Sequence, residues 1–481
     1  MAALLLGGAM APVFAADVKN LSVTVSFGTQ ANAYGGYTIE EGASALQNAL
    51  TLSGPAKVLG ASAGGWSRWG NAEWNTLTIR LDEDGLLGPS DIVGGGVAES
   101  EGGGAAVHNT VYIESGTVEG TVEGGVAVGI NGVGDGTGDV LSNQVTMSGG
   151  TVYSVFGGET GEGNANDNVV TIKGSAAVTG KSNAVYGGYT IDGNASGNIV
   201  NIEDDADIHG EIMGGYTRAG SLISGNKVNV TGGNVNENTV YGVYTAYGDV
   251  LDNQAVIKGT GQAGSSDTNS VYAGFTNIGA AAGNILYIQD SAEIAGSAFA
   301  GYQGGFISSE TVERNQVFMS GGSVGGDLTG GGSNNGGETL NNYVEITGGT
   351  VSGNVYSGFT DSADALENTL TVAGGRVEGS LFGGYSNTGT ANENKLTFSA
   401  GTAGSDAYGG YAQEGADGNE AVLSGTSVLE GNAAGGSSAR GEASGNSLTI
   451  KENSEVKSDA AGGDVYMGTI SKNIITIQYN A

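Results

Sequence analysis

One short pattern recurs along the chain and constrains its fold more than any other feature. The pattern is Asn, any residue, apolar, any residue, apolar, and it occurs sixteen times. The copies begin at Asn48, Asn75, Asn109, Asn143, Asn168, Asn198, Asn226, Asn253, Asn284, Asn315, Asn342, Asn368, Asn394, Asn419, Asn446 and Asn473. Successive copies lie 25 to 34 residues apart, and the last six spacings are nearly uniform. A unit this short cannot bury its own apolar face, so it must stack on its neighbours.

Two further patterns lie between successive copies. The first is aliphatic, aromatic, Gly, Gly, aromatic, Thr or Ser, and single substitutions occur in it. Clear copies are residues 33–38, 185–190, 212–217, 240–245, 271–276, 355–360 and 381–386. The second is Gly-Gly-x-Val, as in residues 149–152 and 374–377. Each unit is therefore predicted to contain three short β-strands separated by turns.

The asparagine pattern has the period of a β-strand. Leu370 and Val372 alternate with Thr371, which places the two apolar residues on one face and the threonine on the outer face. No stretch shows a sustained helical period, and 93 glycines in 481 residues are too many for helices. The fold class predicted is all-β: a parallel β-helix, or β-solenoid, of about sixteen coils with roughly 27 residues each. In such a stack the asparagine side chains would hydrogen-bond to one another along a ladder. A propeller is disfavoured because its blades need about 40 residues.

Charge and composition exclude several functions. The formal net charge is −34, from 50 acidic and 16 basic residues, so nucleic acid and anionic membrane surfaces are unlikely partners. There is no cysteine, which excludes disulfides, thiolate catalysis and cysteine metal sites. A cysteine-free acidic chain suits export through an oxidising periplasm.

The first sixteen residues resemble the end of a secretory signal peptide, because an apolar stretch precedes Ala15 and Ala16. The basic region that should precede it is missing, which indicates an incomplete N-terminus. Residues 17–481 are predicted to form a single solenoid domain that continues beyond the C-terminus.

Three motifs are candidate sites. Residues 60–64 match G-x-S-x-G around Ser62, but that motif needs a strand-turn-helix and a histidine, and the place of these residues in the repeat favours a small-residue version of the Gly-Gly strand. Asp204, Asp205, Asp207 and His209 could hold calcium or supply a general acid, but similar turns recur at 290–293 and 452–455, which favours turn chemistry. Residues 132–140 resemble a single calcium-binding nonapeptide, which binds only in tandem. No catalytic residue, metal site or cofactor is predicted.

Aromatic residues form two columns, that is, equivalent positions in successive units. The first contains Tyr34, Phe156, Tyr186, Tyr241, Tyr272, Phe299, Tyr356, Phe382 and Tyr408. The second contains Tyr37, Trp66, Tyr189, Tyr216, Tyr244, Phe275, Tyr302, Phe359, Tyr385 and Tyr411. Strict alternation would turn the first column outward and the second inward, unless the Gly-Gly pair changes the parity. The candidate contacts for glycans or a partner are Tyr186, Tyr241, Tyr272, Tyr356, Phe382 and Tyr408. The alternative is a stacking ladder that only stabilises the fold.

Stretches such as residues 348–386 resemble the passenger repeats of Gram-negative autotransporter adhesins. The resemblance implies a right-handed β-helix, export through the periplasm, and display at the cell surface by a C-terminal β-barrel, which this sequence lacks. The family is diverse in function. The leading hypothesis for this chain is non-enzymatic adhesion to host or bacterial surface glycans or proteins, or self-association, through many weak contacts along a repetitive face. The alternatives are a polysaccharide-binding or polysaccharide-cleaving passenger and a structural stalk.

Overall fold

A computed structural model describes residues 17–89, 92–99, 103–129, 135–181, 184–236, 238–264, 269–305, 309–334 and 336–478. The predicted signal peptide, 1–16, lies outside these residues, as does part of the nonapeptide-like loop. The chain divides into two compact units, Met1–Asn238 and Thr239–Ala481. The single domain over 17–481 stays a prediction. Within the described residues there is no helix that could span a membrane.

Each of the two compact units is a parallel β-solenoid, which confirms the predicted fold class. The first unit contains seven of the repeat asparagines and the second contains nine, giving about sixteen turns. Equivalent strands of successive coils pair in parallel and in register, as Val344 with Leu370 and Leu370 with Leu396. The core lies inside the coils, where these aliphatic side chains are fully buried.

Every coil is built from the same strand types in the same order. The asparagine strands follow the repeat asparagines, except the first, which follows Leu21; they are Ser22–Val25, Ala49–Gly54, Thr76–Leu81, Thr110–Ser115, Gln144–Met147, Val169–Ile172, Ile199–Ile202 and Lys227–Val230 in the first unit, and Gln254–Ile257, Ile285–Ile288, Gln316–Met319, Tyr343–Ile346, Thr369–Val377, Lys395–Ala403, Glu420–Leu429, Ser447–Lys451 and Ile474–Gln478 in the second. The valine strands come next, and several are merged with a neighbouring strand; the separate ones are Thr29–Gln30, Lys57–Val58, Leu86–Leu87, Ala177–Val178, Asp207–Ile208, Asn234–Asn236, Gln262–Gly264, Glu293–Ile294, Ser323–Val324, Thr350–Val351 and Glu455–Val456.

The glycine strands carry the Gly-Gly pair and the aromatic residues. They are Ala33–Thr38, Ser62–Ser67, Val93–Glu99, Thr117–Val128, Thr151–Thr160, Val185–Thr190 and Ile212–Thr217 in the first unit, and Val240–Tyr247, Asn269–Ile278, Ser297–Gln303, Leu328–Ser333, Val355–Thr360, Leu381–Ser386, Ala407–Ala412, Ala433–Ser438 and Ala460–Val465 in the second. In many of them the residue after the second aromatic position is a buried Thr or Ser whose hydroxyl donates to a turn carbonyl of the preceding coil, as Thr190 does to Gly163 at 2.8 Å.

A fourth strand, absent from the three-strand prediction, ends most coils just before the asparagine, or before Leu21 in the first coil; the described residues before Asn198 form no such strand. These short strands are Val18–Lys19, Ala45–Leu46, Ala72–Glu73, Ala106–Val107, Val140–Leu141, Ala165–Asn166, Leu222–Ser224, Asp249–Leu251, Ala281–Ala282, Val312–Glu313, Thr339–Leu340, Ala365–Leu366, Ala391–Asn392, Gly415–Asp417, Glu442–Ser444 and Thr469–Ser471. Most of these strands contain one small buried residue, such as Ala365. A strand of two or three residues is too short to show an alternating pattern in the sequence.

The asparagine ladder is confirmed within each unit, and fifteen of its sixteen side chains are at most 1% exposed. The bonds around Asn342 are typical. Its Oδ1 accepts from the backbone N–H and the Nδ2 of Asn315, both at 3.0 Å. Its Nδ2 donates to Asn368 Oδ1 and to the Val312 carbonyl, both at 2.9 Å. All four hydrogen-bonding positions of the amide are therefore used, as a buried polar group requires.

The residue before each ladder asparagine has a left-handed backbone, with φ between 54° and 70° in all sixteen coils. Five of these residues are glycine and eleven are not. Glycine adopts this conformation at no steric cost, whereas other residues pay a penalty. The conformation is held because the residue's N–H bonds to the next coil, as Asn341 does to the Leu366 carbonyl at 3.1 Å. We call this position the corner residue.

In fifteen of the sixteen coils, the second glycine of the glycine strand faces the ladder asparagine of the same coil; the exception is the coil that has Val243 at this position. A Cβ at Gly384 would lie 2.3 Å from Asn394 Cγ, closer than any side chain can approach. In these coils the second glycine is therefore required by the asparagine.

Asn342→Ala should lower the free energy of unfolding by about 2–4 kcal/mol, because it leaves buried donors of Asn315 and the Val312 carbonyl without partners. Urea denaturation would measure the change. The matched control is Asn341→Gly at the neighbouring corner residue, where glycine suits a φ of 54° and a change within about 1 kcal/mol is expected. Equal effects of the two substitutions would contradict the role of the ladder.

Gly384→Ala should destabilise by about 1–3 kcal/mol through overpacking against Asn394. Gly415→Ala is its control, because a Cβ there would lie 3.6 Å from its nearest neighbour, an ordinary contact. Thermal unfolding of both variants would measure the difference. The packing argument fails if Gly384→Ala is as stable as Gly415→Ala.

Candidate functional site

The two aromatic columns lie on the same face of the glycine strands. Phe382 and Tyr385, which flank Gly383 and Gly384, contact each other with ring centroids 5.2 Å apart. Strict alternation, which would turn the second column inward, therefore does not hold, and the alternative that the Gly-Gly pair changes the parity is the one observed. The second glycine has to face the ladder, so the Gly-Gly pair spoils strict alternation and residues i and i+3 share the outer face.

Rings of each column stack on their equivalents in adjacent coils. Tyr241 and Tyr272 are 5.2 Å apart with an interplanar angle of 6°, and Tyr272 and Phe299 are 5.0 Å apart at 11°. Rings of different columns meet edge to face, as Tyr241 and Tyr244 do at 80°. Both arrangements are favourable for aromatic pairs. The stack rigidifies the face and covers much of the ring surface.

The six predicted contact residues differ in exposure. Tyr186, Tyr272 and Phe382 are 0%, 4% and 8% exposed, and burial raises the pKa of the Tyr186 hydroxyl. The other three, Tyr241, Tyr356 and Tyr408, are partly exposed. A ring such as Tyr272 or Phe382 has neighbours on both faces, so a partner would reach ring edges rather than faces. Contact with a glycan or partner at the six residues stays a prediction.

Two glutamates interrupt the aromatic columns of the first unit. Glu123 occupies a first-column position and Glu159 a second-column position, one coil apart. Glu123 is 1% exposed, and its side chain is hydrogen-bonded to that of Glu159. Burial raises the pKa of Glu159 to about 7, although the bond to Glu123 acts in the opposite direction. Two carboxyl groups this close can share one proton.

Ser62 does not lie at a strand-helix turn. It is the first residue of the glycine strand Ser62–Ser67, it is fully buried, and it pairs in register with Ala33 and Val93. The small-residue interpretation of the G-x-S-x-G match is confirmed by this position.

The acidic turn around Asp204 hydrogen-bonds to backbone. Asp204 Oδ2 accepts from the N–H of Gly174 in the preceding coil at 3.1 Å. Asp290 and Glu452 make the equivalent bonds to Gly259 and Gly425. Turn chemistry therefore explains the recurring acids. Among the described residues, no group of three or more potential ligands is placed to hold a metal ion.

Two outward patches were not predicted. Tyr287, Phe318 and Tyr343 replace the usual polar residues on the outer face of three successive asparagine strands, with Tyr287 and Phe318 stacked 5.3 Å apart. Trp74 and His108 are corner residues of successive coils and stack with centroids 4.2 Å apart. A corner residue belongs to no apolar period, so only the rarity of tryptophan could have pointed to it.

Comparison of the chain with protein-family models, curated proteins and solved structures finds no match. The resemblance to autotransporter passengers stays a prediction, and function has to be argued from the outward residues.

Stability of the first unit should depend on pH through Glu159. Its folded-state pKa of about 7 lies above the ordinary 4.5, so folding favours the protonated form. Stability should therefore be greatest below about pH 4.5, fall as the pH rises to about 7, and level off above that. The total change amounts to at most about 3 kcal/mol. The facing groups Tyr186 and Tyr189 have raised pKa values and do not titrate in this window.

Thermal unfolding from about pH 5 to about pH 8 would measure this dependence. Glu159→Gln should remove most of it. Glu119→Gln, at an exposed position of the strand that carries Glu123, should leave it unchanged. Equal pH dependence in the wild type and in Glu159→Gln would exclude Glu159 as its source.

Proposed function

We propose that this chain is a non-enzymatic module displayed on a bacterial surface, where it adheres or self-associates through many weak, repeated contacts. The observation that supports this most is the presentation of one type of side chain by successive coils in the same orientation. Export and surface display belong to the proposal and rest on the resemblance of the repeats to autotransporter passengers.

The threonine positions of the asparagine strands illustrate this presentation. Thr146 pairs with Thr171 in the first unit, and Thr371 pairs with Thr397 in the second. These side chains are partly exposed, while the residues beside them are buried. Paired strands in a sheet lie about 4.8 Å apart, so the threonines form a regular polar array on a rigid support.

Repetition converts weak contacts into strong attachment. Once one coil is bound, the next contact is intramolecular and benefits from a high effective concentration. A rigid face also loses little conformational entropy on binding. Such a surface needs no deep cleft or catalytic group, and it suits a repetitive polysaccharide, a protein array or a second copy of the chain.

Net charge sets a condition on self-association. A charge of −34 makes two copies repel each other at low ionic strength. Salt shortens the Debye length from about 30 Å at 0.01 M to about 8 Å at 0.15 M. Self-association is therefore expected to strengthen as salt is added.

A structural stalk is the second candidate, and the aromatic columns favour it. Their ring faces are largely covered by one another, which stabilises the solenoid and leaves mainly edges for partners. A polysaccharide-binding or polysaccharide-cleaving passenger remains the other alternative.

Beads coated with the full chain should aggregate, and the aggregation rate should rise with salt. Replacing Thr146, Thr371 and Thr397 by glutamate should reduce aggregation several-fold, because charges would repel partners from the threonine array. The control places three glutamates at the corner residues Gln47, Ser142 and Asn341, where Glu367 and Glu393 show that glutamate is accommodated. Light scattering would measure aggregation, and thermal unfolding would verify folding.

Wild-type beads that stay dispersed at every salt concentration and do not attach to bacterial or host cells would contradict the proposal. That outcome would leave the stalk as the better explanation.

A further inference from the structure

All three tryptophans of the chain lie within nine residues of one coil. Trp66 belongs to the second aromatic column and is only 9% exposed. Trp69 is partly exposed, and the Arg68 guanidinium lies 5.9 Å from its ring centroid. Trp74 is the corner residue and is 55% exposed. A large apolar side chain is thus presented to solvent at the corner of this coil.

The fold does not require an indole at that corner. The conformation, with a φ of 59°, is held by the hydrogen bond from the Trp74 N–H to the Val107 carbonyl at 3.1 Å. Glycine fills the equivalent position in five other coils.

One face of the indole is covered and the other is open. His108, the corner residue of the next coil, stacks on Trp74 with ring centroids 4.2 Å apart and an interplanar angle of 28°. Since more than half of Trp74 is nevertheless exposed, the exposed area must lie on the opposite face and the edges. That face is directed towards the preceding coil, whose corner residue is the exposed Gln47.

Two polar residues are neighbours of Trp74 in the stack and in the sequence. Gln47 is the corner residue of the preceding coil, and its amide can both donate and accept hydrogen bonds. Glu73 precedes Trp74 in the chain, and its carboxylate accepts from Asn71 Nδ2 at 2.8 Å. A flat aromatic surface with amide and carboxylate groups on neighbouring residues can recognise a ring that has an apolar C–H face and hydroxyl groups at its rim.

We propose that the open face of Trp74 binds a neutral pyranose ring, which stacks on the indole while Gln47 and Glu73 hydrogen-bond to its hydroxyl groups. Sugars whose hydroxyls are all equatorial fit best, because both faces of their rings consist of C–H groups. Anionic sugars are disfavoured by the net charge of −34. The site is separate from the aromatic columns and from the threonine array.

The test is titration of the full chain with a neutral β-1,4-linked glucose tetrasaccharide, followed by calorimetry and tryptophan fluorescence. The wild type should bind it, and Trp74→Gly should lower the affinity by at least about tenfold. Glycine is the native residue at other corners, so this variant should fold at least as stably as the wild type. His108→Gly, which removes the supporting ring, should lower the affinity by about 2- to 10-fold.

Trp69→Phe is the matched control and should bind as the wild type does. Unchanged affinity in Trp74→Gly, or no wild-type binding at millimolar tetrasaccharide, would overturn the proposal. So would a dimer, detected by light scattering, that Trp74→Gly dissociates, because a second copy would then occupy the indole. The inference is independent of the proposed function: bead aggregation without tetrasaccharide binding would refute only the inference, and binding without aggregation or cell attachment would refute only the proposed function.

Discussion

The buried asparagine amide is the interaction on which the rest of the structure depends. An amide has two acceptor sites and two donor hydrogens. Inside the solenoid, the neighbouring coils have to supply the hydrogen-bond partners that water supplies at the surface. Asn342 meets this condition with Asn315, Asn368 and the Val312 carbonyl. Loss of one amide would leave unpaired groups in both neighbouring coils, at a cost comparable to a large part of a domain's stability. The asparagine is therefore the position that each coil has to keep.

Several sequence features follow from that requirement. In fifteen of the sixteen coils the opposing strand has glycine where it passes the amide, as Gly384 passes Asn394. In these coils the glycine faces the ladder, and the aromatic residues on either side of the Gly-Gly pair lie on the outer face, where they stack. Coil length is much less constrained, because the ladder fixes only one residue in each coil. Spacings from 25 to 34 residues are therefore compatible with one architecture.

Sequence patterns predicted the solenoid, its period and the ladder, because all three depend on residues that recur at fixed positions. The short strand before each asparagine was missed because a two-residue strand such as Ala365–Leu366 has no detectable period. Strict alternation did not give the orientation of the second aromatic column, because it takes no account of the buried asparagine that the second glycine faces. The hydrogen bond between Glu123 and Glu159 was not predicted, because the two glutamates occupy different positions of their repeats. Their carboxyl groups meet only because these positions lie diagonally across adjacent coils. Trp74 and His108 are neighbours only because corner residues lie one above another.

The corner residue separates what a coil displays from what holds it together. Its backbone keeps nearly the same φ whether the side chain is Trp, His, Arg, Lys, Ser, an acid, an amide or hydrogen alone. Natural variation can therefore exchange one corner side chain at a time with little disturbance of the interior. Because adjacent corners are close enough for their side chains to touch, two such exchanges can create a new recognition surface. The architecture thus allows the outward corner side chains to vary independently of the buried scaffold.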